Sequence, residues 1–271
     1  MPFLYLVATP IGNLEDITLR ALRLLREVGL IAAEDTRKTR RLLNAYDIKT
    51  PMTSYYEHNK LTKLDYILDC LKERDVALVS EAGTPGISDP GYELIVAAGK
   101  RGIPVVPVPG PSAVTTALAV SGLPTDRFIY IGFLPNRPGP RRQALKSVSA
   151  EPGTIILLEA PHRLMAALGD ILLVLGDRRM AVCRELTKLH EEVFRGTVSE
   201  AIGHFTEPRG EFTLVIEGKG APERPQLTGA IERQLQEMHL AGATAREAVV
   251  ALAGETGLKK KELYRSWLRM K

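Results

Sequence analysis

Short apolar runs alternate with amphipathic segments over the first 110 residues of the chain. The apolar runs have the length of buried strands, and they occupy residues 4–8, 30–33, 76–79 and 105–108. The amphipathic segments predict helices over residues 16–28, 36–45, 60–71, 92–98 and 111–120. Such alternation is typical of a mostly parallel sheet with helices on both faces. Residues 1–121 are therefore predicted to form an α/β lobe.

The pattern changes after residue 121. Two turn-rich segments, 122–126 and 135–140, flank the apolar run 128–134 and mark the boundary of a second lobe over residues 122–220. This lobe is predicted to be a mixed sheet with strands over 154–158, 180–183, 192–196 and 211–217 and helices over 164–175 and 198–204. Residues 218–226 have the composition of a linker.

The last part of the chain, residues 227–271, predicts a small helical extension. One helix covers residues 229–240, and a capping box from Thr244 to Glu247 opens the next one, which runs to about residue 254. A basic helix follows Gly257. This arrangement indicates a helix-turn-helix-like unit that contacts nucleic acid, or a helical bundle that packs against the body of the protein.

Loops of small residues follow the predicted strands. The segment 80–91 is rich in glycine and proline, which lets a backbone approach a ligand closely. Further loops of this kind cover residues 8–16, 33–37 and 108–113. Ligands of open α/β sheets bind at the carboxyl ends of the strands, so these loops predict a binding cleft. The motifs of nucleotide P-loops, dinucleotide folds and hydrolase elbows are absent from the sequence.

The composition of the chain indicates the cellular compartment in which the protein works. The 271 residues are 45% apolar and 25% charged, and no apolar stretch has the length of a membrane span. The N-terminus lacks the basic start of a signal peptide. Cys70 and Cys183 have no metal-type spacing, which suits a reducing compartment. We expect a cytoplasmic protein that uses no metal and no membrane partner.

The net charge is only +4, but the basic residues are clustered. Clusters on a nearly balanced protein are the pattern expected for a polyanion partner, although solvated helix faces give the same pattern. The candidate RNA-binding residues are Arg40, Arg41, Arg137, Arg141, Arg142, Lys259, Lys260 and Lys261.

Several long motifs resemble those of the tetrapyrrole methylase superfamily. They occupy residues 9–18, 33–37, 80–91, 107–113, 132–135, 159–163 and 184–188, in that order. The resemblance implies a bilobal α/β fold and S-adenosylmethionine as cofactor. Within the superfamily the chain looks most like enzymes that methylate the ribose 2′-hydroxyl of a cytidine in the decoding centre of 16S rRNA. This resemblance implies that the partner is the 30S ribosomal subunit and that the protein forms a homodimer. It also implies a helical extension such as the one predicted for residues 227–271.

The resemblance also implies a site in the cleft between the lobes. The implied cofactor-binding residues are Ile11, Ser80, Gly83, Thr84, Ile87, Asp89, Pro109, Ser112, Ala113, Leu158, Leu186, Phe212 and Thr213. Methyl transfer to a hydroxyl needs in-line positioning and either a base or a polarising cation. The candidates for that role are Glu34, Asp35, Arg37 and Glu185, with Glu81, Asp89, His162 and Arg184 as further ones.

Two other functions remain open at this point. One is a methyltransferase of the same superfamily that acts on a small tetrapyrrole or corrinoid, for which the basic tail has no use. The other is a metabolite-sensing DNA-binding protein, which would bind duplex DNA without methyl turnover.

Overall fold

The computed structural model describes residues 2–220 and 227–269. Contacts along the chain divide it into two compact units, Met1–Gly218 and Lys219–Lys271. The first unit contains two separate five-stranded sheets, and the second is helical. The predicted α/β class with a helical extension is confirmed. The division between two lobes at residue 121 remains a prediction, and most of the linker expected over 218–226 lies outside the described residues.

The first sheet is wholly parallel. Its strands are β1 (Leu4–Val7), β2 (Leu30–Ala33), β3 (Met52–Ser54), β4 (Val76–Val79) and β5 (Val105–Val108), in the spatial order β3-β2-β4-β1-β5. The four predicted strands are confirmed. The edge strand β3 is an addition, since a run of three half-buried residues gives little signal in the sequence.

Alternate residues of the central strand β4 enter two different cores. Ala77 and Val79 pack in one cluster, whereas Val76 and Leu78 pack in another. All of them are buried because helices cover both faces of the sheet, which explains the unbroken apolar run. Such a sheet holds its strand ends, and the loops that follow them, in fixed positions.

Five helices of this part of the chain connect or follow these strands. They are α1 (Leu19–Glu27), α2 (Thr36–Ala45), α3 (Lys60–Cys70), α4 (Tyr92–Lys100) and α5 (Ala113–Ser121). The helix predicted from residue 16 begins later, because Leu14–Asp16 forms a separate 3-10 turn and the Thr18 side chain caps α1 by accepting from the backbone N–H of Ala21.

The second sheet is mixed. It contains β6 (Phe128–Phe133), β7 (Thr154–Glu159), β8 (Arg179–Arg184), β9 (Glu192–Thr197) and β10 (Phe212–Ile216), in the order β6-β7-β10-β8-β9. Only the pair β6 and β7 is parallel. The mixed sheet is confirmed, and the apolar run after residue 127 proves to be a further strand.

Three helices accompany this sheet, namely α6 (Pro138–Ser147), α7 (Pro161–Leu175) and α8 (Val198–His204). Helix α6 is an addition, because the sequence of residues 135–140 predicts only a turn. Prolines lie in its first turn, where their missing N–H groups would have no partner in any case.

The second unit contains α9 (Gly229–Leu240), α10 (Ala245–Thr256) and α11 (Lys260–Leu268). A capping box joins Thr244 to Glu247 at the start of α10, as predicted. The three helices share one core of buried side chains, which consists of Leu235, Ala248, Val249, Leu252, Leu258, Leu263 and Trp267.

No helix within residues 2–220 and 227–269 is long and apolar enough to cross a bilayer.

Candidate active site

The loops after β1 and β4 are joined at the carboxyl end of the parallel sheet. Thr9 and Gly83 exchange backbone hydrogen bonds of 2.9 Å in both directions. Gly83 has φ +82°, a conformation that favours glycine. Ser80 is buried and its hydroxyl donates to the carbonyl of Gly83 over 3.2 Å. These hydrogen bonds hold the glycine-rich turn in one conformation.

A cavity of about 420 Å³ opens beside this turn. Strands of the second sheet contribute to it, as do the loops that follow β1, β2, β4 and β5 of the first sheet. The lining comprises Ile11, Glu34, Glu81, Ala82, Gly83, Thr84, Ile87, Ser88, Asp89, Ser112, Ala113, Val114, Tyr130, Phe133, Leu158, Glu159, Ala160, Pro161, Cys183, Leu186, Glu211, Phe212 and Thr213. Its volume is in the range of small-molecule sites.

The predicted cofactor-binding residues meet in this cavity with two exceptions. Ser80 lies behind the glycine turn that it supports, and Pro109 is exposed and does not line the cavity. The others share the wall although they come from both halves of the first unit.

The charged residues that line the cavity are all acidic. Glu34, Glu81, Asp89, Glu159 and Glu211 line it, and no lysine, arginine or histidine of the described residues does. Such a lining favours a ligand with positive charge and disfavours the phosphates of a nucleotide cofactor.

Comparison with known proteins identifies the family to which the chain belongs. The sequence pattern of the tetrapyrrole (corrin/porphyrin) methylases matches residues 3–202. The chain belongs to that family. The expected enzyme class, methyl transfer, and S-adenosylmethionine as methyl donor are thereby confirmed at the level of the family.

Relatives named ribosomal RNA small subunit methyltransferase I are similar over nearly their whole length. The protein of Halalkalibacterium halodurans is 50% identical over 96% of this chain and 93% of its own. That of Synechocystis is 49% identical over 100% of this chain and 99% of its own. That of Thermotoga maritima is 55% identical over 80% of this chain and 98% of its own.

Solved structures of uroporphyrin-III C-methyltransferase from Thermus thermophilus share the fold. One of them, complexed with S-adenosylhomocysteine, has a TM-score of 0.58 and 21% identity, and the match covers 79% of this chain and 97% of that one. At this identity the likeness shows the fold alone.

Asp89 and Glu34 are two carboxyls of this methylase cavity whose pKa values are raised. Burial, followed by repulsion from Glu34, raises the pKa of Asp89 to about 7. Burial also raises the pKa of Glu34, whose Oε2 accepts a hydrogen bond of 3.0 Å from the backbone N–H of Glu81. Glu81 in turn forms an ion pair with Lys38. A pKa of about 7 suits Asp89 to proton transfer near neutral pH.

Glu159 is a third unusual carboxyl, and the sequence does not indicate it as a site residue. It is 2% exposed, and its Oε1 accepts from the backbone N–H of Ala160 over 2.9 Å while Arg163 Nε lies 3.0 Å away. Burial raises its pKa. Its Oε2 is buried without a hydrogen-bond partner among the described residues, so a donor group of a bound ligand would satisfy it.

Tyr130 is another residue that the sequence did not indicate. Its hydroxyl lies 2.6 Å from the hydroxyl of Ser88, and burial raises its pKa. The hydrogen bond ties β6 to the loop after β4, across the cavity. Tyr130 lies within an apolar run, and nothing local distinguishes it from a core residue.

The loop after β8 presents Leu186 to the cavity through a tight turn. Glu185 and Thr187, on either side, have φ +50° and +67°, which is unusual for residues other than glycine. The Oε1 of Glu185 accepts from Lys188 Nζ and from the backbone N–H of Glu211, both at 2.9 Å. Burial raises the pKa of Glu185, but these hydrogen bonds outweigh it and lower the pKa below its ordinary value. The carboxylate thus stabilises the turn and does not line the cavity.

The other candidate catalytic residues lie outside the cavity lining. Asp35 caps α2 by accepting from the backbone N–H groups of Lys38 and Arg37, which lower its pKa. Arg37 itself is 92% exposed, and His162 is exposed in the first turn of α7. Arg184 pairs with Glu192 at 3.0 Å. None of these side chains lines the cavity.

One predicted RNA-binding residue needs correction. Arg141 is 5% exposed, and its Nε lies 2.6 Å from Oδ2 of the buried Asp170, so its guanidinium is not available to an external polyanion. Arg142 pairs with the same carboxylate but is half exposed. The remaining candidates are exposed, namely Arg40, Arg41, Arg137, Lys259, Lys260 and Lys261.

Across residues 2–220 and 227–269, no group of histidine, cysteine, aspartate and glutamate has the geometry of a metal site.

Proposed function

We propose that this protein transfers a methyl group from S-adenosylmethionine to the ribose 2′-hydroxyl of a cytidine in the decoding centre of 16S ribosomal RNA. The substrate in this proposal is the small (30S) ribosomal subunit, the active form is a homodimer, and the enzyme acts in the cytoplasm. The observation on which the chemistry rests is the acidic, partly apolar cavity between the two sheets.

The residues of the cavity suit this cofactor. When bound, S-adenosylmethionine supplies the methyl group and a sulfonium leaving group. Carboxylates at Glu34, Glu81 and Asp89 favour its positive charge, and the unpartnered Oε2 of Glu159 offers an acceptor for one of its donor groups. The apolar side chains of Ile11, Leu158 and Leu186 exclude water from the reacting centre.

Asp89 is our candidate for the proton acceptor of the substrate hydroxyl. It lines the cavity, and its pKa of about 7 lets it be ionised near neutral pH while retaining affinity for a proton. Glu34 is less suitable because one of its oxygens is already engaged by the backbone of Glu81. We assign Glu34 the role of raising the pKa of Asp89 by repulsion.

The choice of RNA rests on the relatives and on the distribution of charge. Relatives named ribosomal RNA small subunit methyltransferase I match over almost the whole chain, including the helical extension. Exposed arginines on α2, such as Arg40 and Arg41, follow directly from the loop that carries Glu34. Phosphates of an RNA strand can pair with them while the neutral ribose approaches the acidic cavity.

Small ribosomal subunits from cells that lack the protein provide the test. They are incubated with the purified protein and labelled S-adenosylmethionine, and the RNA is then hydrolysed with alkali. We expect the label in 16S rRNA within an alkali-resistant dinucleotide, because a 2′-O-methyl group blocks cleavage of the next phosphodiester bond. Complete nuclease digestion should yield labelled 2′-O-methylcytidine.

Subunits from cells that contain the protein serve as the control and should accept little label, since their site is already modified. Label in a base rather than a ribose would contradict the proposed atom. Absence of label in 16S rRNA, with transfer to a uroporphyrin or corrinoid instead, would favour the small-molecule alternative.

A further inference from the structure

A groove of about 690 Å³ lies between α10 and α11 in the second unit. It is lined by Arg246, Val249, Val250, Lys260, Lys261, Tyr264 and Arg265. Helical spacing explains the set, because residues three and four apart share one face of each helix. The opposite face of α11 carries Leu263 and Trp267, which are buried in the core of the unit. The groove is therefore a surface that the fold leaves uncovered within this unit.

Its four cations have no counter-ions. None of Arg246, Lys260, Lys261 and Arg265 has a carboxylate within 4.0 Å among the residues that the structure describes, and no acid lines the groove. By contrast, Lys60 lies near two carboxylates and Arg142 pairs with Asp170. Unpaired cations lining one groove form a site for successive phosphates.

An aromatic ring and apolar side chains lie among these cations. Tyr264 is 47% exposed and Val250 is 49% exposed. Neighbouring apolar side chains that remain exposed to solvent are typical of a binding surface. An exposed aromatic ring flanked by cations is the arrangement by which proteins hold an unpaired base, since the base stacks on the ring while the cations contact the backbone.

We propose that the groove between α10 and α11 binds a single-stranded segment of RNA, with an unpaired base stacked on Tyr264 and its phosphates held by Arg246, Lys260, Lys261 and Arg265. This inference rests on the proposed function and names the part of the RNA partner that the second unit binds. Lys259 is not part of the lining, so the site differs from the lysine run expected from the sequence.

The shape of the surface favours a single strand over duplex DNA. A recognition helix enters the major groove with a protruding, polar face, whereas here cations and apolar side chains together line a concave surface. Bases in a duplex are stacked on one another and cannot reach a ring inside a groove, but an unpaired base can.

Fluorescence anisotropy with the full-length protein tests the proposal. The probes are a short fluorescein-labelled single-stranded RNA and a duplex DNA of the corresponding sequence. We expect the RNA to bind more tightly, and Tyr264→Ala to weaken its binding by about tenfold, the effect typical of a lost stacking partner. Tyr264→Phe keeps the stacking surface and should stay within about twofold of the unchanged protein.

A matched pair of charge reversals adds a second readout. Arg246→Glu in the groove should weaken RNA binding strongly, whereas Arg233→Glu, an exposed arginine on α9 outside the groove, should have little effect. Circular dichroism of each variant confirms that the helices remain folded. Equal binding by Tyr264→Ala and the unchanged protein, or preferential binding of the duplex, would overturn the proposal.

The same variants separate this proposal from the enzymatic one. If the groove binds RNA but the proposed activity is wrong, Tyr264→Ala still loses RNA affinity while no variant methylates 16S rRNA. If the activity is right but the groove has no role, Tyr264→Ala methylates small subunits at the rate of the unchanged protein and retains its RNA affinity.

Discussion

The cavity in the first unit and the groove in the second unit carry charges of opposite sign. Carboxylates without a single basic side chain line the cavity, whereas cations without a single carboxylate line the groove, among the residues described in each. A cationic methyl donor and a polyanionic substrate need these opposite environments. One nearly neutral chain can thus serve both ligands by separating its charges, which the net charge of +4 conceals.

The largest effect is expected when the proton acceptor that we propose for the cavity is removed. Asp89→Asn should lower the methyl transfer rate by about a thousandfold, since a positioned base contributes roughly 10²–10⁴ to the rate. The rate of the unchanged protein should rise with pH through about 7, the pKa of Asp89. Steady-state kinetics on small subunits provides both measurements.

Glu211→Gln is the matched control for that variant. Glu211 lines the same cavity, but its carboxylate is exposed and paired with Lys188 at 2.9 Å. Its loss should change the rate by about twofold. Retention of more than a tenth of the rate by Asp89→Asn would remove Asp89 as the acceptor.

The second prediction separates structural cations from those available to RNA. Asp170→Asn leaves the buried Arg141 without its counter-ion and should lower the free energy of unfolding by about 3 kcal/mol. Asp69→Asn breaks an exposed pair with Lys72 and should leave the stability nearly unchanged, since water already screens that pair. Denaturant unfolding at neutral pH distinguishes the two. Equal stability of both variants would show that Arg141 does not depend on Asp170.

Salt provides a third test, because it should affect the two sites unequally. Raising the salt concentration from about 50 to 200 mM should weaken single-stranded RNA binding by about 50-fold if all four groove cations contact phosphates. Binding of S-adenosylmethionine should change by less than about twofold, since the cofactor releases few counter-ions. Anisotropy and calorimetry measure the two affinities. Equal salt dependence would contradict the separation of charge.

The smallest expected effect is the change in the free energy of unfolding that results from ionisation of Asp89 in the cavity. The pKa of Asp89 in the folded protein, about 7, lies above the ordinary value of 3.8, so the folded state binds the proton more tightly than the unfolded state. The contribution of this group to stability is therefore lost as pH rises from about 4 to about 7. At pH 8, Asp89→Asn should raise the free energy of unfolding by about 1 kcal/mol after allowance for solvent screening.

Unfolding of both proteins at pH 5 and pH 8 checks this sign. The advantage of the variant should shrink at pH 5, where Asp89 is protonated in the folded state. A variant that is less stable at pH 8 would show that the charged Asp89 is favourable in the cavity.

The buried strands and the glycine-rich loops could be predicted because their signals are local. The runs at β2, β4 and β5 are apolar throughout, and the turn around Gly83 needs a residue that tolerates positive φ. Asp35 and Glu34 are neighbours in the sequence, and a local pattern predicts the same role for both. Only the structure shows that one caps a helix and the other faces the cavity.

The rest depended on contacts that are distant in sequence. Arg141 belongs to a basic cluster, and the sequence cannot reveal that Asp170, on another helix, neutralises it. Tyr130 and Glu159 reach the cavity from strands of the second sheet, where pairing decides which side chains face inward. Helix α6 escaped prediction because its first-turn prolines also suit a turn.

Calorimetric titration of the protein with S-adenosylmethionine tests whether the cavity between the two sheets binds the methyl donor. Ser112 lines this cavity at the start of α5, whereas Thr115, one turn further, is exposed and outside the lining. We predict binding at one site per chain, abolished by Ser112→Trp and preserved by Thr115→Trp. Unchanged binding by Ser112→Trp, in a variant that remains folded, would contradict the account.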